Sequence, residues 1–141
     1  MKKHTLLLIG LLSLFLFSCS TNKTVGSDKL YNSNWELEFI TGLRITFEGL
    51  FPEKKPVINL NKSTKMATGN SGCNGYLSKF SPKGNTISFA QPEMSTMMYC
   101  GQGETTFRKT MLEVDNYRIV NDKLEFLKGD IVLMRFKRLK I

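Results

Sequence analysis

The sequence predicts a mainly antiparallel β domain with one α-helix, an α+β fold in which the helix packs against or plugs the sheet. Three observations predict it. From residue 30 onward, apolar side chains alternate with polar ones, the period of a half-buried strand. Polar or glycine-bearing turns interrupt that alternation at short intervals, as in a meander. One stretch, Gln102 to Asp115, changes to helical spacing.

Each element follows in order. Trp35, Leu37 and Phe39 alternate with Glu36 and Glu38, giving a first strand with one apolar face. Phe47 to Pro56 carries Gly49, Pro52 and Pro56 and reads as an irregular connection. Val57 to Leu60 and Lys65 to Thr68 form a strand pair around the polar turn Asn61-Lys62-Ser63-Thr64. Tyr76 to Phe80 and Thr86 to Phe89 flank Ser81-Pro82-Lys83-Gly84-Asn85, a hairpin signal. In the helix, Phe107, Met111 and Val114 recur at i, i+4 and i+7, and Glu104 in the first turn suits the macrodipole. Tyr117 to Val120, Leu124 to Leu127 and Ile131 to Leu139 close the chain through turns at Asn121-Asp122 and Lys128-Gly129-Asp130. Seven or eight strands result. Trp35, Phe39, Phe89, Phe107, Leu112, Tyr117, Leu124 and Phe126 are the expected core.

Residues before this domain address the chain. Lys2 and Lys3 precede an apolar run from Thr5 to Phe17, too short for a spanning helix of about 20 residues and of the length of a signal-peptide core. Leu16-Phe17-Ser18-Cys19 then resembles the bacterial lipobox, in which the cysteine receives diacylglycerol and further acyl chains such as palmitate. Each buried methylene contributes about 0.8 kcal/mol, so two or more chains anchor stably. The expected division is a lipoprotein signal peptide over 1–18, a polar flexible tether over 19–29 and one domain over 30–141. The expected location is the bacterial cell envelope, on the outer membrane because Ser rather than Asp follows Cys19.

Composition narrows the chemistry. The single histidine, His4, lies in the leader, so the mature chain has no imidazole for Ser-His-Asp or Cys-His catalysis or for a histidine-bearing zinc site. No catalytic residue, metal or cofactor is assigned, and a non-enzymatic role becomes the default. Lys plus Arg number 20 against 12 Asp plus Glu, a net charge of +8. Nucleic acid is not an expected partner, because an exported protein does not meet it. Lys128, Arg135, Lys137, Arg138 and Lys140 make the C-terminal end basic. That end reads as a solvated edge strand, where Lys discourages edge pairing; the alternative is contact with anionic headgroups. After lipidation of Cys19, Cys73 and Cys100 are the remaining thiols, and an oxidising compartment makes a disulfide between them the expectation.

Two motifs carry a resemblance. Thr68-Gly69-Asn70-Ser71-Gly72-Cys73-Asn74, then Gly84 and Ile87-Ser88-Phe89, then Thr96-Met97-Met98-Tyr99-Cys100 resemble the META/HslJ domain, with its G-x-x-G-C-N loop and later T-x-M-x-C. The resemblance runs over about residues 30 to 139. Gly75 and Tyr99 stand where that family often has Arg and Ala. It implies a small cracked-barrel-like domain on secreted or lipid-anchored bacterial proteins, associated with heat-shock or envelope stress and without established catalysis. The expected function is therefore a monomeric envelope lipoprotein, membrane-bound through Cys19, that binds a protein partner or an apolar ligand. The alternative is soft-metal binding, Cu(I), by Met94, Met97, Met98 and Cys100, whose thioethers and thiolate suit that ion.

Overall fold

The structure, a computed structural model, describes residues 27–31, 33–42 and 45–140. The expected antiparallel sheet is present and closes on itself. In chain order the elements are α1 (Ser27–Leu30), β1 (Asn34–Ile40), α2 (Phe47–Leu50), β2 (Val57–Asn61), β3 (Met66–Asn70), β4 (Gly75–Lys83), β5 (Thr86–Phe89), β6 (Glu93–Met94), α3 (Gln102–Leu112), β7 (Asn116–Val120), β8 (Lys123–Lys128) and β9 (Ile131–Arg138). The strands follow the order β3-β2-β1-β9-β8-β7-β5-β4-β6, and β3 pairs back onto β4. Eight strands thus form a barrel-like ring, with β6 extending the β5 side of β4.

Local chemistry sets the corners. Asn121 and Asp122 both have positive φ, the conformation a two-residue hairpin turn needs to match strand twist. Asn61 Oδ1 accepts from Ser63 N and Thr64 N at 3.0 Å each, folding the β2–β3 turn. Thr46 caps α2 by accepting from Gly49 N at 3.2 Å.

Inward side chains fill the ring. Trp35, Leu37, Ile58, Phe126, Met134 and Phe136 are fully buried. The rings of Phe80, Phe89, Phe126 and Phe136 run across the interior with successive centroids 6.3, 5.3 and 5.3 Å apart. Trp35 Nε1 donates to Leu30 O at 3.1 Å, so α1 closes over the indole. Among the described residues, the buried apolar side chains lie between Leu30 and Phe136, so the barrel encloses its own core.

Several expectations change. Among the described residues three helices replace one, although α1 and α2 are single turns, and α1 takes up the end of the segment read as tether. Phe39 leaves the core. The β1–β9 register shifts between Leu37 and Phe39, which pairs Phe39 with Arg135 on the outer face and leaves it 40% exposed. Leu112 is 42% exposed, because the buried helix face runs through Gly103, Phe107 and Met111 and residue 112 lies about 100° further round. The C-terminal strand is not an edge: β9 sits between β1 and β8. The Phe47–Pro56 connection contributes buried Leu50 and Phe51, which its proline and glycine content had concealed.

Candidate functional site

The ring has two unlike ends. One carries the short turns of β2–β3, β4–β5 and β7–β8 together with α1 and the end of β9; we term it the turn end. The other, the loop end, carries α2, the glycine loop between β3 and β4, and the 95–101 loop leading into α3. Both cysteine motifs meet there.

The glycines permit that meeting for distinct reasons. A Cβ on Gly69 would stand 1.8 Å from Val57 O, so only glycine lets β3 lie this close to β2. Gly72 has φ +101°, and its Cα faces the ring of Phe51, where a Cβ would come within 2.6 Å. Asn70 Oδ1 accepts from Gly72 N at 3.0 Å and completes the turn. Cys73 is thereby brought to Cys100, and the two form a disulfide with Cα atoms 6.0 Å apart.

Beside the disulfide, Asn74 joins three segments. Its buried side chain donates from Nδ2 to Met98 O at 2.7 Å and to Glu104 Oε2 at 2.8 Å. Its Oδ1 accepts from Thr96 Oγ1 at 2.6 Å and from Met98 N at 3.0 Å. Both donors and both lone pairs of the amide are used. Ser71, also buried, donates toward Glu104 Oε1 at 2.5 Å and lies 2.9 Å from Asn74 O. Glu104 therefore receives a hydroxyl and an amide from the glycine loop and ties it to the first turn of α3. The macrodipole alone did not reveal this task for Glu104; its signal is the spacing Glu104-x-x-Phe107, which aims one residue at the loop and the other at the core. Phe107 packs its ring 5.7 Å from that of Tyr76. Burial raises the Tyr76 phenol well above its ordinary value, so it stays protonated at neutral pH.

The motif residues Gly69 to Asn74, Thr96, Met98 and Cys100 are thus brought together, and they build a lock between loops. What the lock presents is apolar. Met97 is 95% exposed, Met98 66% and Tyr99 95%, at the tip of the stapled loop. Tyr99 forms a wall of two grooves. One, of about 570 Å³, runs between Thr41, Leu133 and the Thr106, Lys109 and Glu113 face of α3. The other, of about 440 Å³, runs along Phe51, Pro52 and the disulfide.

The soft-metal set does not assemble in the same way. Cys100 is held in the disulfide and offers no thiolate, while Met94 packs on the core from β6 and Met97 points outward. Cys19 lies outside the described residues.

A family model for the META domain matches residues 28–140. Two solved structures share the fold. An NMR structure of a protein from Burkholderia xenovorans matches with a TM-score of 0.62 at 17% identity, over 84% of this chain and 89% of that one. A second NMR structure matches with a TM-score of 0.56 at 16% identity, over 78% of this chain and 92% of that one. No curated protein matches the chain in sequence.

Proposed function

Because the chain belongs to the META domain family, we propose that it is a lipid-anchored envelope protein that acts by binding a protein partner through its stapled tip, without catalysis. The observation that carries this reading is the run Met97-Met98-Tyr99. Three consecutive large apolar side chains stand in water on a loop fixed by a disulfide and by three hydrogen bonds to Asn74. Exposed apolar surface is unfavourable to maintain, and pre-organised apolar surface is what a docking site needs. The interior supports a partner at the surface over an apolar ligand within the ring, since the protein's own aromatic rings occupy that space. A binding role also fits a mature chain without histidine, in which Glu104 is engaged by Ser71 and Asn74.

A photo-crosslinking residue at position 99 tests the tip in cells. The expected result is a discrete protein adduct that is absent when the same residue replaces Ser88 on the barrel wall. Identical adducts from both positions would overturn the reading. The anchor is tested separately: Cys19→Ser is expected to prevent acylation, and a chain extracted from membranes without diacylglycerol mass would remove that part.

A further inference from the structure

The turn end gathers basic residues that are scattered in the sequence. Lys62 pairs with Asp28 at 3.0 Å and Arg138 with Asp122 at 3.3 Å. Lys29, Lys65, Lys83 and Lys140 are exposed and make no ion pair among the described residues. They come from α1, the β2–β3 turn, the end of β4 and the tail after β9. Topology brings them to one face. Phe80 N donates to Lys65 O at 2.9 Å, drawing the β4 end to the β2–β3 turn. Tyr31 lies beneath, with Lys62 Nζ 5.6 Å and Lys65 Nζ 6.0 Å from its ring. Arg138 donates to Lys29 O, which joins the tail to α1.

The opposite end has no such excess, since it mixes exposed Glu48, Glu53 and Glu93 with Lys54, Lys55 and Lys109. Of the basic run in the C-terminal sequence, Lys140 alone joins this unpaired set. Lys128, Arg135 and Lys137 are engaged by Glu113, Glu125 and Glu36.

The chain reaches α1 at this same turn end. From Cys19 to Ser27 the backbone spans at most roughly 29 Å, at about 3.6 Å per residue. The geometry points to the turn end as a docking face for the anionic phospholipid headgroups of the bilayer that holds the Cys19 anchor. This rests on the lipid-anchored reading above. An anchor alone leaves the domain free over a distance several times the Debye length of about 8 Å, where the surface potential is screened. Four unneutralised lysines on one face draw it in and orient it. The barrel then stands end-on, with the Met97–Tyr99 tip held up to about 26 Å from the lipid, the length of an eight-residue strand such as β9 at roughly 3.3 Å per residue.

The test uses a chain beginning at Ser20, without leader or lipid, since the core of the barrel lies between Leu30 and Phe136. It is sedimented with vesicles of phosphatidylglycerol and phosphatidylcholine, and with phosphatidylcholine alone. Binding is expected to the anionic vesicles only and to weaken with added salt. Substituting Lys29, Lys65, Lys83 and Lys140 by Gln is expected to lower it on the order of 600-fold, at about fivefold per basic residue. The triple variant Lys54→Gln, Lys55→Gln, Lys109→Gln at the loop end serves as the comparison and is expected to bind nearly as the wild type does. Failure to bind anionic vesicles overturns the inference. So does an equal loss per charge in both variants, which would reduce the effect to net charge. Neither result depends on acylation, so the anchor is decided independently by the mass of the membrane-extracted chain.

Discussion

Asn74 shows how much one side chain can hold. With all four hydrogen-bonding positions of its amide used, its removal strands Glu104, Met98 and Thr96 at once. Asn74→Ala is expected to lower stability by about 2 kcal/mol, because four part-buried hydrogen bonds are lost together and the half-buried Glu104 carboxylate loses one of its two donors. Glu104 should divide by substitution. A glutamine there can accept from Asn74 and donate to Ser71, whose hydroxyl then donates to Asn74 O, so Glu104→Gln is expected within about 1 kcal/mol of wild type. Glu104→Ala leaves Ser71 and Asn74 facing nothing and is expected to cost about 2–3 kcal/mol. Urea denaturation of the three variants measures the order. Glu125 acts on the outer wall of the barrel instead. Burial pushes its carboxyl up, but hydrogen bonds from Arg135 at 2.7 Å and Arg118 at 2.6 Å more than offset this, leaving it below its ordinary value. Its stabilisation is therefore complete above the unfolded carboxylate value of about 4.3 and is lost as pH falls through the lower folded value. Glu125→Gln is expected to be less stable than wild type at neutral pH, with the gap narrowing in acid. A gap that is constant across a pH series of melts would contradict it.

Elements differ in how openly the sequence declares them. The strands of β2 to β5 and β7 to β9 are legible because hairpins are local: alternation and turn residues lie within a few positions of each other. The helix α3 is legible for the same reason. What is hidden depends on distant partners. Phe39 obeys the alternation of β1, but Arg135 of β9 takes it to the outside through a register shift that no local pattern announces. The lock is half visible. Its residue types and order mark a family motif, while the convergence of Asn74 on Met98 and Glu104 exists only once two loops and a helix meet. The disulfide is legible from counting thiols, and its consequence belongs to the two loops it joins. Closing 27 residues of separation is worth roughly 3.5 kcal/mol in unfolded-chain entropy. Replacing Cys73 and Cys100 together by Ser is expected to lower stability by about 3 kcal/mol and to open the Met97–Tyr99 tip to protease. Loss of stability without faster tip cleavage would mean that the Asn74 hydrogen bonds alone fix the loop.

At the scale of the molecule, closure is the property that no segment contains. Pairings β1–β9 and β3–β4 turn a meander into a ring, and most of its seams are long. One is not. β5 and β7 meet at the single ladder pair Thr86–Asn116, supported by Ile87 N to Asp115 O at 3.1 Å and Tyr117 N to Asn85 O at 2.9 Å. The chain between these strands is occupied by the 95–101 loop and α3, so the seam is also where the tip and its helix are inserted into the barrel. A short seam with few backbone bonds opens at lower free energy than the ladders around it. Amides of Ile87 and Tyr117 are accordingly expected to exchange with solvent through a partial opening, while Leu124, Phe126 and Met134, in the β8–β9 ladder, exchange only on global unfolding. Native-state hydrogen exchange over a denaturant series separates the two, since partial opening shows a weak denaturant dependence and global unfolding a steep one. If both groups follow the steep line, the ring unfolds as one unit and the seam is held by α3 through Phe107, whose ring packs on Tyr76, and through the neighbouring Met111. In that event Phe107→Ala should release the seam amides to early exchange, because it removes the packing that substitutes for the missing ladder.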